Sequence, residues 1–187
     1  EAFEAAARPD VDPRYHNHAV ACPDDVDEWK GYHTVYVIPV NPQYRSRPTS
    51  IHGFGGGHDP VGFALNGVKF DPPAPIEAII KAHTIAPFDD AGGHVNPFAG
   101  YHYHAATGQT KEIAQPDGHA PLIGYALDGF AIYAHLDESG KASEDLDECS
   151  GHYDDVRGYH YHVGAAGDNQ IIGAFRGIPG TVEIIKK

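Results

Sequence analysis

The sequence lacks methionine altogether, and it has only two cysteines, one tryptophan and 13 lysines and arginines in 187 residues. Each shortage excludes something. Nucleic acids and anionic membrane surfaces are bound through clustered basic side chains, whereas here 26 Asp and Glu set the formal net charge at −13. Neither is therefore an expected partner. The acidic surface favours a cationic ligand, and charge of this size also serves solubility alone. No apolar run approaches the ~18 residues that span a bilayer, so membrane insertion is not expected. The missing Met leads to the expectation that an N-terminal secretory segment has been removed and that the protein is periplasmic or secreted; a trimmed chain is the other reading. In such a compartment Cys22 and Cys149 are expected to form a disulfide worth ~4–5 kcal/mol in the chain-entropy model, the alternative being two unconnected buried thiols. No nucleophile elbow, phosphate loop, HExxH helix or CxxC pair occurs, so no catalytic residue is assigned.

Turn formers are abundant, with 22 Gly and 15 Pro. They leave little room for long helices and predict a mainly β, loop-rich fold, read as one domain over 1–187 with an irregular arm over 1–30. The chain also repeats itself. His58-Asp-Pro-Val-Gly-Phe-Ala-Leu-Asn-Gly67 returns as His119-Ala-Pro-Leu-Ile-Gly-Tyr-Ala-Leu-Asp-Gly129 with one residue inserted. Gly93-His94 and Tyr101-His-Tyr-His104 return as Gly151-His152 and Tyr159-His-Tyr-His162, both displaced by 58 positions. Asn66-Gly67 and Asp128-Gly129 read as two-residue type I′ hairpin turns, flanked by apolar segments Gly62 to Leu65, Val68 to Phe70, Ile123 to Leu127 and Phe130 to Ala134. Each half, about 58–104 and 119–162, is thus expected to supply a hairpin, a connection and a YHYH strand, with the halves packed about a pseudo-two-fold axis. Thr34 to Val40 and Thr181 to Ile185 look like further strands, while Ile76 to Ala82 fits a strand or a short helix. The acidic stretch 137–148 lacks calcium-loop spacing and reads as a solvated loop.

Histidine is the residue in excess: 14 of them outnumber all the lysines and arginines. On a strand, positions i and i+2 share a face about 6–7 Å apart. His102 and His104 therefore project together with Tyr101 and Tyr103 behind them, and the same holds for His160 and His162. Two imidazoles on one face can meet at one ion with bonds of ~2.0–2.1 Å, and His94 and His152 are the natural third ligands. The glycine before each of those two would allow close backbone approach. An isolated His-X-His is commonly a hydrogen-bonded surface pair; repetition at matched spacing favours metal. His58 and His119 are candidates for a fourth ligand or a supporting contact. Tyr15-His16-Asn17-His18 offers a further pair without evident partners, and His33, His52, His83 and His135 read as ordinary surface or core histidines. Imidazole-rich ligation suits Cu(II), with zinc next, and argues against soft Cu(I) sites. The tetrad tyrosines are expected to pack their rings and hydrogen-bond their hydroxyls.

Together Gly62-Phe-Ala-Leu-Asn-Gly-Val68, His94, Tyr101-His-Tyr-His104, Pro121-Leu-Ile-Gly-Tyr-Ala-Leu-Asp-Gly-Phe130, Leu146-Asp-Glu-Cys149 and Tyr159-His-Tyr-His162 resemble the YHYH-domain family over about Ile38 to Gly177. The resemblance implies an exported bacterial protein and no particular reaction. Similar proteins often carry a Cys in the segment matching Gly173 to Gly177, where this chain has Ala174, so the resemblance leaves Cys22 as the partner for Cys149. The second tetrad degenerates in some relatives, which ranks the first cluster, His94, His102 and His104, above the second.

Three functions follow in order of preference. The first is a periplasmic or secreted copper- or zinc-binding protein for metal handling. The second is a metalloenzyme, a copper oxidoreductase or a metal-dependent hydrolase, in which Asp128 could act as base although it is more simply the turn residue. The third is an extracellular carbohydrate- or surface-binding module with structural metal. The metal ion is the expected partner; a small-molecule or polysaccharide ligand is left open.

Overall fold

The computed structural model describes residues 32–51, 59–74, 90–96 and 100–186. The expected arm over 1–30, with His16, His18 and Cys22, lies outside them, as do His52, His58, His83 and the undecided segment Ile76 to Ala82. Among the described residues the fold is mainly β and loop-rich, with ten strands, two sheets and no helix. In chain order the strands are β1 Tyr32–Val37, β2 Gly62–Ala64, β3 Lys69–Phe70, β4 Gly93–Asn96, β5 Gly100–Tyr103, β6 Leu122–Ala126, β7 Ala131–Tyr133, β8 Gly151–Asp154, β9 Gly158–His162 and β10 Thr181–Lys186. No helix among the described residues is long and apolar enough to cross a membrane.

β1 and β10 pair antiparallel, from Tyr32↔Lys186 to Val37↔Thr181, as a two-stranded sheet. The other eight strands form one sheet in the order β4-β5-β3-β2-β6-β7-β9-β8. The β3–β5 and β7–β9 pairs are parallel, and the remaining pairs are antiparallel. At its centre β2 lies against β6 through Gly62↔Ala126, Phe63↔Tyr125 and Ala64↔Gly124. Glycine is needed at Gly62 and Gly124, because a Cβ there would stand 2.3 Å from the Tyr125 carbonyl oxygen and 2.2 Å from that of Phe63.

The hairpins form where Asn66-Gly67 and Asp128-Gly129 place them, but not as type I′ turns. Only the glycines have positive φ, 86° at Gly67 and 88° at Gly129. The Gly67 amide donates to the Ala64 carbonyl and the Ala64 amide to that of Val68; Gly129, Ala126 and Phe130 repeat the arrangement. Each loop is thus a turn followed by a left-handed glycine, three residues long rather than two. The carboxamide of Asn66 and the carboxylate of Asp128 each accept from the backbone amide two residues on, so neither side chain needs left-handed backbone to cap its turn.

Two strands carry no signal of their own in the sequence. β4 and β8 lie antiparallel to the YHYH strands β5 and β9, with His94 opposite His102 and His152 opposite His160. The tetrad tyrosines tie these strands to the rest of the sheet. Tyr161 donates to Asp128 Oδ2 at 2.5 Å and accepts from the Arg176 amide, while Asn66 donates to the Tyr103 hydroxyl at 3.0 Å. Asp128 is 0% exposed and also takes the Gly177 amide, so it is the turn residue and stands on the tyrosine side of β9. Beneath pack Phe70, Ile123, Ile132, Tyr161, Ile171, Ile172 and Phe175, each contributing roughly 1.5–3 kcal/mol by leaving water.

The expected Cys22–Cys149 bridge is not formed: Cys149 carries a free thiol, fully buried in this core. Burial and the neighbouring Asp147 carboxylate push that thiol up to about 11, which makes it a small core group and not a reactive one.

Candidate metal centre

The second half brings four histidines together. His160 and His162 sit at alternate positions of β9, His152 lies directly across from His160 on β8, and His119 arrives on the loop before β6. One nitrogen from each falls within 4.8 Å of all the others. The Nε2 of His160 is 2.9 Å from that of His152 and 3.1 Å from that of His119, and His162 Nε2 is 3.2 Å from His152 Nε2. His160 and His162 are buried, whereas His119 and His152 are half-exposed, leaving one side of the cluster open to solvent.

The opposite nitrogens decide what these contacts are. His119 Nδ1 lies 2.9 Å from the Ala120 carbonyl, His160 Nδ1 2.9 Å from that of Gly158, and His162 Nδ1 3.0 Å from that of Ala134. His152 Nδ1 lies 2.7 Å from the Asp145 carboxylate. Carbonyl and carboxylate oxygens only accept, so each Nδ1 must carry the proton and donate. In neutral rings every Nε2 is then a bare lone pair, and the four lone pairs face one another. Such a group repels itself unless a cation stands between its members. With bonds of ~2.05 Å, nitrogens 2.9 to 3.2 Å apart subtend roughly 90–105° at a common ion, a range that real coordination geometries occupy. Burial pulls His160 and His162 down to about 4, with the neighbouring imidazoles adding to the effect, and burial also lowers His119. The rings are therefore held in the form that ligates.

A clamp positions the loop that brings His119. Arg157, in the β8–β9 turn, donates at 2.5 Å both to Asp117 and to Asp154. It thereby ties the loop of His119 to the hairpin of His152 and His160. The Tyr133 ring closes one wall, edge-on to His119 at 4.7 Å and to His160 at 5.0 Å between centroids.

The glycines before His94 and His152 serve a different purpose from the expected approach to an ion. A Cβ on Gly151 would lie 2.3 Å from the Tyr159 hydroxyl, and one on Gly93 2.5 Å from that of Tyr101. They make room for the first tyrosine of each tetrad.

In the first half His102 and His104 are buried with Nε2 atoms 3.0 Å apart, and His104 Nδ1 lies 2.6 Å from the Pro72 carbonyl. Burial lowers His104 as it does its counterparts. His94 stands opposite His102 in the backbone register; its side chain and all of His58 lie outside what is described. His135, read as an ordinary histidine, is half-buried with Nδ1 3.2 Å from the Val163 carbonyl. Asp145, in the acidic stretch expected to be a solvated loop, bonds His152, and Arg157, a single charge in the β8–β9 turn, carries no periodic signal in the sequence.

The fold and this cluster define a β-rich, histidine-clustered domain whose buried rings could hold a metal ion. The chain matches the model of the YHYH protein family over residues 35–146 and belongs to that family. The matched region includes His94, His102, His104 and His119 and stops short of His152, His160 and His162. No curated protein and no solved structure matches the chain.

Proposed function

We propose that this is a transition-metal-binding protein of the periplasm or cell exterior that handles copper by preference and zinc next. His119, His152, His160 and His162 are its ligands in the second half, and His102 and His104 occupy the matching places in the first, with His58 and His94 as the sequence counterparts of His119 and His152. The observation that carries the reading is the locked Nδ1–H of all four described rings, which turns four Nε2 lone pairs toward one point. All-imidazole ligation suits Cu(II) best among the divalent first-row ions, and Zn(II) follows.

The same proposal includes an internal duplication. The strand order reads alike from either edge, β4-β5-β3-β2 and β8-β9-β7-β6, and the central β2–β6 pair is antiparallel, as a two-fold axis between them requires. His104 Nδ1 to Pro72 and His162 Nδ1 to Ala134 are equivalent bonds in the two halves.

Metal analysis of protein purified without an affinity tag, followed by electron paramagnetic resonance of the Cu(II)-loaded form, tests the proposal. Nitrogen hyperfine structure from several imidazoles is expected, with that of the second half lost in the His160→Gln, His162→Gln double variant. Uptake of neither copper nor zinc by either protein would overturn it. One observation favours a metalloenzyme as the second reading: a groove of about 870 Å3 runs beside the cluster and is lined by His152, Asp145, Tyr44 and Arg157. A slowly exchanging ion that keeps an exchangeable water distinguishes that reading from handling.

A further inference from the structure

We infer that the first half holds a metal site of different chemistry, in which the Asp71 carboxylate joins His102 and His104 as a ligand for a divalent cation such as Fe(II), Mn(II) or Zn(II). The inference rests on reading His102 and His104 as ligands and does not depend on the four-histidine centre.

Three observations converge on Asp71. The residue is 7% exposed, yet its Oδ1 is sealed from solvent with no hydrogen-bond partner. A buried carboxylate oxygen left unpaired costs several times a normal hydrogen bond, and an ion is one of the few things that accounts for it. Secondly, Asp71 Oδ2 stands 3.7 Å from His102 Nε2, which is itself 3.0 Å from His104 Nε2. At bonds of ~2.1 Å these separations subtend about 125° and 90°, both within the range of four- to six-coordinate ions. Thirdly, the Nδ1 of His104 must donate to the Pro72 carbonyl at 2.6 Å, so its Nε2 lone pair points at this same place.

The register shows why this site differs from its counterpart. Phe70 pairs with Tyr103 on the parallel neighbour, and Ile132 pairs with Tyr161 in the same way. The next residue is Asp71 in one half and Tyr133 in the other. Where the Tyr133 ring stands against His160, the first half therefore sets a carboxylate against His102. Lys69 sets a further difference: its ammonium, 2.9 Å from Asp71 Oδ2, competes with an ion for that oxygen. A carboxylate oxygen in place of the ring wall shifts preference from Cu(II) toward harder ions.

Co(II), whose visible absorption reports its ligands, is the probe. It is titrated into the His160→Gln, His162→Gln double variant, in which the four-histidine centre is disabled. One ion is expected to bind, and adding Asp71→Asn is expected to weaken it by about tenfold or more and to change the spectrum. Lys69→Gln is expected to tighten binding, because the competing ammonium is gone. Co(II) affinity and spectrum unchanged by Asp71→Asn overturn the carboxylate ligand while leaving His102 and His104 as ligands. No Co(II) uptake by the double variant overturns both. Near-UV circular dichroism shows whether Asp71→Asn folds. Should it not, Lys69→Gln decides: tighter binding supports the inference, and unchanged or weaker binding overturns it.

Discussion

Acidifying the metal-free protein should destabilise it steeply across a window set by the buried imidazoles. His160 and His162, 0% and 2% exposed, ionise in the folded state at about 4 against an ordinary value of 6.5. Between those values the unfolded chain takes up protons that the folded chain refuses. Stability present in full above pH 6.5 is thus lost as pH falls toward 4. At 1.36 kcal/mol per pH unit the loss is roughly 3 kcal/mol for each ring, a large share of the ~5–15 kcal/mol that holds a typical domain together. Urea denaturation of chelator-treated protein, followed by circular dichroism at half-unit steps of pH, measures it. The carboxylates do not mimic this slope. Asp154 is held at about 2 because Arg157 outweighs the cost of its burial, so its contribution is lost only below the ordinary 3.8. Asp128, raised by burial, works with the opposite sign, since the folded state accepts its proton first. His160→Gln, a neutral replacement, should remove about half the dependence. Saturating metal at about a thousandfold above its Kd should add ~4 kcal/mol at pH 7. Metal-free stability that stays level or rises from pH 6.5 to 4 would refute the argument that the rings fold neutral.

Three further outcomes are expected. Arg157→Gln cuts the tie between the His119 loop and the β8–β9 hairpin, and calorimetry should find copper affinity lowered about tenfold with the fold retained; undiminished affinity would show that His119 needs no such positioning. Gly124→Ala sets a Cβ 2.2 Å from the Phe63 carbonyl at the centre of the sheet and should cost at least ~3 kcal/mol, read as a fall in Tm; a neutral result would mean that β2 and β6 can move apart. Cys149, buried and raised to about 11, should resist maleimide at neutral pH until urea unfolds the protein, and reductant should leave Tm unchanged; a fall in Tm on reduction would restore the disulfide.

The sequence pattern revealed the face-sharing histidines, the hairpins and the strands near both ends because these rest on local rules: alternation along a strand, and glycine where φ turns positive. It was silent where partners are distant. Nothing near Gly151-His152 marks a strand, since β8 is defined by its pairing with β9 across a short turn, and that pairing is what sets His152 opposite His160. The number of loop residues was misjudged because Asn66 and Asp128 bond the following amides with their side chains instead of taking left-handed backbone. The disulfide was inferred from compartment and from counting, neither of which reports that Cys149 lies at 0% exposure within the core. Asp71 escaped notice for a similar reason: a single aspartate after a two-residue strand has no period, and only the parallel β3–β5 pairing sets it beside His102.

The spacing of tyrosine and histidine in the tetrad has a mechanical cause. A strand that offers two imidazoles to an ion must not roll about its own axis, because a rotation of a few tens of degrees carries both nitrogens out of bonding range. In β9 the tyrosines oppose that roll from behind: Tyr159 donates to Asp147, and Tyr161 to Asp128. From the front, the Nδ1 of each histidine is held by a backbone carbonyl, Gly158 for His160 and Ala134 for His162. Four side chains in sequence therefore alternate between tyrosine anchor and imidazole, each pair fixing the orientation of the other. Substituting phenylalanine for either tyrosine leaves the ring packing in place but releases the roll. The alternation thus holds two lone pairs at a set angle, and an ion bound there would spend no free energy on ordering them.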